Sequence, residues 1–275
     1  MPYSKEISRR NPSAIMFLLD QSGSMSEGFG AASIPKAQGA ADAINRLLQE
    51  LILKCTKEEG IRDYFDVAII GYGSQQGYAG ALIGQKFVKL SWLGEHPNKI
   101  EERTRKESDG AGGIVENRVK FPIWFDPVAS GDTPMCKALE LAYEWVSEWI
   151  TDHQDAYPPM IFNITDGGAT DADPESAAKK IMSLSTSDGN VLIYNCHISG
   201  TKGSEILFPK SEEELPADEL ARKLFRMSSL LPQEVINLAE KEIAVEQNSR
   251  GFAFNADLVN LIKFLNIGTR TPELQ

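Results

Sequence analysis

Residues 20–24 read Asp-Gln-Ser-Gly-Ser, and two more oxygen-rich turns lie far along the chain: Gly131-Asp132-Thr133-Pro134 and Thr165-Asp166-Gly167-Gly168. Together they offer two carboxylates, Asp20 and Asp166, and three hydroxyls, Ser22, Ser24 and Thr133, with no thiolate and no imidazole. Hard oxygen donors carrying so little charge suit Mg2+, which keeps several waters and uses only one or two protein carboxylates; Mn2+ also fits. Alternate residues of a turn leaving a strand can face the same way, so Asp20, Ser22 and Ser24 can point at one ion while Gly23 lets the backbone bend. Neutral hydroxyls do not quench the ion's charge, so a vacant coordination position attracts an incoming carboxylate. A metal held this way is half of an interface. The competing explanation is that Ser22, Ser24 and Thr133 only cap turns and helices.

For these turns to meet, the elements before them must share one sheet. The continuous apolar run AIMFLLD (14–20) reads as a buried strand, and 34–55 reads as a helix with Ile44, Leu47, Leu48, Leu51 and Cys55 on one face. DYFDVAIIGYG (63–73), PMIFNITDG (159–167) and VLIYNCHIS (191–199) read as further buried strands. QKFVKLSWL (85–93) alternates polar and apolar residues, as an antiparallel edge strand does, and GYGSQQGYAG reads as the hairpin before it. That stretch lacks the following helix and the Lys-Ser/Thr ending of a phosphate-binding P-loop. NKIEERTRKES (98–108) reads as a short charged helix or turn. The stretch 109–132 opens with GAGG and contains Pro122 and Pro127, which disfavour a helix.

Met135, Ala138, Leu139, Ala142, Trp145, Val146 and Trp149 are spaced for a buried helix. The sequence DADPES predicts a helix start capped by Asp173. Helices over 217–231 and 233–245, a strand GFAFNA and a last helix through Leu258, Leu261, Ile262 and Leu265 complete the chain. Strands alternating with helices predict a doubly wound α/β fold: a mostly parallel central sheet with one antiparallel edge strand and helices on both faces. Ligands of such folds bind beyond the carboxyl ends of the strands, at the switch in strand order. The three oxygen-rich turns then converge on one rim. Without repeats or a linker, a single domain over 1–275, with its core at about 14–268, is expected.

In this order and on these elements, DQSGS, Thr133 and the Asp166 of the TDG turn resemble the von Willebrand factor A (integrin I-like) domain and its metal-ion-dependent adhesion site, whose signature is Asp-x-Ser-x-Ser with a later Thr and Asp. The resemblance covers nearly the whole chain. It implies that Ser22, Ser24 and Thr133 contact the metal and that Asp20 and Asp166 act directly or through water. The string GDTPM and the acidic composition look like intracellular bacterial members of the tellurium-resistance type, which accompany kinase and phosphatase partners.

A formal net charge of −11, from 28 Lys and Arg against 39 Asp and Glu, argues against nucleic-acid binding. The apolar stretch near the start is too short for a signal peptide's core or a membrane span, so a cytoplasmic location and no membrane partner are expected. Cys55, Cys136 and Cys196 are odd in number and in apolar surroundings, as reduced core thiols are. Asp171 and Asp173 could extend the acidic rim to a second ion, although a cap role explains Asp173. His197, near a strand end, reads as a core histidine because no nucleophile with an orienting partner lies near it, while His96 and His153 are expected on loops or helix ends. Trp145 and Trp149 read as core, whereas Trp124 and Phe125 could contact a partner.

These observations predict a non-enzymatic, Mg2+-dependent (or Mn2+-dependent) module. A partner protein donates an Asp or Glu side chain to the metal, and segments 105–132 and 200–216 form the variable rim. One alternative is a metal-dependent phosphohydrolase or phosphoryl-transfer enzyme. α/β hydrolases of the haloacid-dehalogenase type also place an Asp after the first strand, but they need a second Asp where Ser22 stands. The other alternative is a metal-independent scaffold.

Overall fold

The computed structural model describes residues 2–29, 34–73, 78–108, 114–199, 203–239 and 245–269. Its centre is an eight-stranded sheet. Strand β1 (Ser13–Gln21) is buried along its whole length and pairs in parallel with β2 (Phe65–Gly73) on one side. Two short strands, β3 (Tyr78–Ala81) and β4 (Val88–Lys89), pair antiparallel with β2. Off the sheet, β5 (Lys99–Ser108) and β6 (Ile114–Ile123) form a two-stranded antiparallel ribbon. The chain then returns to the other side of β1 as β7 (Met160–Thr165), followed outward in space by β8 (Leu192–Ile198) and β10 (Phe252–Ala256), all parallel. Strand β9 (Ile206–Leu207) closes that edge antiparallel to β10. Both edges therefore carry antiparallel strands, one more edge than expected.

Side chains of β1 alternate between two apolar cores, as a strand with both faces covered requires. Ile15, Phe17 and Leu19 face the core built with helix α1 (Lys36–Cys55), α2 (Leu90–Glu95), α6 (Gln233–Ala239) and α7 (Leu258–Gly268). Met16 and Leu18 face the core built with α3 (Met135–Asp152), α4 (Glu175–Ser183) and α5 (Glu219–Arg226). Cys55, Cys136 and Cys196 are buried free thiols. Burial pushes the pKa of Cys55 up to about 11 and that of Cys136 up to about 12, so both are unreactive core groups. Among the described residues no helix is long and apolar enough to cross a membrane.

Two segments depart from the sequence expectations, and a third, 109–132, gains an assignment. Within 98–108, Lys99–Ser108 form strand β5 instead of a helix or turn, and within 109–132, Ile114–Ile123 form β6. The Glu, Arg and Lys residues there favour a helix in isolation, but cross-strand contacts override that preference. The Arg103 guanidinium lies 4.0 Å from the centre of the Phe121 ring and donates to Asp42 of α1 at 2.8 Å. Pro122 is tolerated because a two-stranded ribbon consists of edges. Within 85–93 only Val88–Lys89 is a strand; Leu90 and Leu93 turn inward as α2. The glycine-rich hairpin is present as β2–β3, with residues 74–77 of its turn outside the described residues. So are GAGG (110–113) and part of the predicted 233–245 helix.

Candidate functional site at the switch between β1 and β7

After β1 the chain builds outward through β2; with β7 it builds in the opposite direction from β1. The carboxyl ends of β1 and β7 lie side by side, with Leu19 opposite Ile164 in the register. Asp20 and Thr165 are therefore neighbours although they are 145 residues apart in sequence. Gly73, at the end of β2, lies beside Gln21 in the parallel register, and a Cβ there would fall 2.5 Å from the Gln21 carbonyl carbon.

Asp20 is 1% exposed, and both of its oxygens are used. Oδ1 accepts from the Ser22 backbone N–H at 2.8 Å, and Oδ2 accepts from the Thr165 hydroxyl at 2.6 Å. Burial raises its pKa to about 6, against the pull of these hydrogen bonds, and the nearby Asp166 charge adds to the rise. A short 3-10 turn, Gly23–Ser26, follows. Ser22 Oγ stands 3.1 Å from Ser24 Oγ, and Ser24 Oγ donates to Asp166 Oδ1 at 2.8 Å.

The Thr133 loop docks on this turn through the Gly23 N–H, which donates to the Gly131 carbonyl at 3.0 Å. Gly131 adopts φ 79°, the left-handed region that suits glycine. Thr133 itself is buried, and its backbone N–H donates to Thr170 Oγ1 at 3.0 Å. Among the described residues its hydroxyl makes no hydrogen bond. Ser22, Ser24 and Asp166 are thus joined directly, Asp20 is locked beneath them, and Thr133 stands on the adjoining loop.

A lysine completes the cluster. The Lys36 ammonium donates to Asp166 Oδ2 at 2.7 Å and to Glu27 Oε2 at 2.9 Å. The Lys36 and Asp166 side chains are 6% and 1% exposed, whereas Glu27 is 69% exposed. Burial works against the ammonium's charge, but the hydrogen bonds to Asp166 and Glu27 outweigh it and hold the pKa above the ordinary lysine value. Sequence reasoning missed Lys36 and the part played by Thr165. A signal for Lys36 was present: it is the first residue of α1, where the helix dipole disfavours a cation, and no acidic residue shares that turn.

The remaining candidates have structural partners. Asp171 caps α3, accepting from the backbone N–H groups of Cys136 at 3.2 Å and Lys137 at 3.0 Å. Asp173 pairs with Lys223 at 3.2 Å, and Pro174 takes the cap position predicted for it. His197 accepts from the Asn255 N–H at 3.3 Å and stacks on Phe254, and burial lowers its pKa. His96 and His153 stack on Trp92 and Trp149. Trp124 and Phe125 are buried; Trp124 Nε1 donates to the Leu93 carbonyl at 2.7 Å, so these aromatics pack in the core instead of facing a partner. Trp145 and Trp149 are buried as expected.

No family model and no curated protein matches the chain. Among solved structures it is similar to the pilus adhesin SpaC from Lactobacillus rhamnosus GG, at 11% identity and TM-score 0.51, covering 93% of this chain and 30% of that one. Two further matches have lower TM-scores. The vWF domain of the type V pili tip protein Mfa5 from Porphyromonas gingivalis is 18% identical, with TM-score 0.32, over 58% of this chain and 39% of that one. A von Willebrand factor type A structure from Catenulispora acidiphila is 12% identical, with TM-score 0.39, over 68% of this chain and 33% of that one. The chain thus spans between 30% and 39% of the length of these structures. The match to SpaC is a likeness of fold.

Among the described residues no group of three or more His, Cys, Asp and Glu is placed to hold a metal. The donors at the switch are of another kind, hydroxyls with two carboxylates. Neighbouring oxygens around an octahedral Mg2+ with bonds of about 2.1 Å stand about 3 Å apart. The hydrogen-bond separations of 3.1 Å and 2.8 Å along Ser22, Ser24 and Asp166 are also compatible with that spacing, and the Thr133 hydroxyl is uncommitted among the described residues. The residues fit a hard divalent cation.

Proposed function

We propose that the chain is a von Willebrand factor A-type interaction module. On this proposal it binds a carboxylate of a partner protein through a Mg2+-occupied (or Mn2+-occupied) adhesion site and performs no catalysis. The observation that carries the proposal is the continuous run of oxygens Ser22–Ser24–Asp166 at the strand switch, with Asp20 held beneath it by Thr165 and the Ser22 N–H. Ser22, Ser24, Thr133 and Asp166 would hold the ion, with Asp20 in support. Once bound, the ion supplies an electrophilic position for an Asp or Glu side chain.

The chain's own residues orient the donors. Thr165 fixes the Asp20 carboxylate, Asp20 fixes the Ser22 backbone, and the Gly23–Gly131 hydrogen bond brings the Thr133 loop alongside. The lack of catalysis is supported by the neighbours: the His197 Nδ1 is engaged by Asn255 and the Lys36 ammonium by Asp166, which leaves neither poised as a general base. Three buried, unpaired thiols support a reducing, cytoplasmic setting.

The test is divalent-dependent capture of a partner. Thr133→Ala should abolish capture while the melting temperature of the protein stays put. Capture that persists undiminished in EDTA refutes the mechanism, and robust phosphoester turnover lost in Asp20→Ala refutes the non-enzymatic assignment.

A further inference from the structure

We propose that Lys36 sets the charge of the metal site, lowering its affinity for the cation so that the loaded site stays net positive and open to an anion. The inference rests on the metal-site reading above and adds a residue to it. Three observations carry it. First, Lys36 and Asp166 form a salt bridge of 2.7 Å whose side chains are 6% and 1% exposed, so solvent screens it little. Second, the two Asp166 oxygens are divided: Oδ2 takes the ammonium, while Oδ1 turns to Ser24 in the oxygen run. Lys36 therefore takes one carboxylate oxygen and leaves the other in the oxygen run. Third, the lysine sits at the first position of α1, where the helix dipole opposes it, and it is tied back by its own N–H to the Glu27 carbonyl at 2.9 Å. A cation kept at an unfavourable position points to a use.

The charge count gives the consequence. Asp20 and Asp166 together neutralise a divalent ion, and a site with only those charges is neutral when loaded. Lys36 adds one positive charge, held on the second Asp166 oxygen, Oδ2. Glu27 offsets it weakly, because that side chain is 69% exposed and screened by solvent. The loaded centre is then cationic, which favours completion by a partner's carboxylate over another neutral group. The same charge repels the incoming metal. The ammonium sits 2.7 Å from a carboxylate of the donor set, in surroundings largely out of solvent, so that repulsion is little screened.

The experiment is calorimetric titration of MgCl2 into EDTA-stripped wild type, Lys36→Met, Lys36→Gln and Lys36→Arg. Lys36→Gln can still donate to Asp166 and so separates charge from position; it also serves if Lys36→Met fails to fold. Wild type and Lys36→Arg should bind alike, while Lys36→Gln and Lys36→Met should bind at least about tenfold more tightly. Wild-type binding with equal or weaker binding in Lys36→Gln overturns the inference and leaves the metal site standing. Wild type that takes up no Mg2+ overturns both, and Lys36 is then an ordinary buried ion pair.

Discussion

The strand switch and the β5–β6 ribbon both carry many charges, yet they hold them in opposite ways. At the switch, Asp20 is 1% exposed, and the Lys36–Asp166 pair lies almost wholly out of solvent. On the ribbon, Lys99 pairs with Asp126 at 2.7 Å with side chains 46% and 51% exposed, and Arg118 approaches Glu102 at 3.8 Å with side chains 84% and 68% exposed. Buried charges must be matched, and removing one partner leaves the other desolvated; exposed pairs are replaced by water at little cost. Closely spaced charges therefore do not by themselves mark a site. What distinguishes the switch is that its charges are desolvated, Asp166 against Lys36 and Asp20 against hydrogen-bond donors, and joined to the Ser22 and Ser24 hydroxyls.

The comparison breaks most easily at Lys36. In EDTA, Lys36→Met should lower the unfolding free energy by about 3 kcal/mol, because Asp166 is left buried and unpaired. Urea denaturation measures it, and Mg2+ should restore part of the loss. The next effect lies under the rim, where Tyr72 Oη donates to Asn163 Oδ1 at 2.7 Å and Asn163 donates in turn to Asn195 at 2.9 Å. Tyr72→Phe should cost about 1–2 kcal/mol by orphaning a buried acceptor, with the sheet retained by circular dichroism. On the ribbon, Arg103→Ala should cost about 1 kcal/mol through loss of its contacts with Phe121 and Asp42. Lys99→Ala should leave the denaturation midpoint unchanged. A midpoint shift for Lys99→Ala as large as that for Lys36→Met would erase the distinction between the two regions.

The sequence made the switch legible and left the ribbon obscure for a physical reason. Strands β1, β2, β7 and β8 are buried on both faces, so their apolar runs are continuous and identify themselves. The oxygen-rich turns follow two of these strands and precede α3, and topology brings them together as the alternation of elements predicts. The ribbon draws its order from pairing and from its contacts with α1, so the local composition of Lys99–Ser108 points to a helix instead. Lys36 was hidden for a different reason. Its one signal in the sequence is a cation at a helix start with no acidic residue in that turn, and only the tertiary approach of Asp166, 130 residues on, gives that signal a meaning. Asp171, which could have extended the acidic rim to a second ion, is a helix cap for α3.

Binding of a divalent cation through hydroxyls at the switch between β1 and β7 is what the proposed function requires. It is tested most directly by calorimetric titration of MgCl2 into EDTA-stripped wild type and Thr133→Ala. Thr133 supplies an uncommitted hydroxyl at the rim and makes its structural contacts through its backbone. One Mg2+ per wild-type chain is expected, with binding at least about tenfold weaker in Thr133→Ala and an unchanged melting temperature. Wild type without uptake, or equal uptake by both proteins, would contradict it.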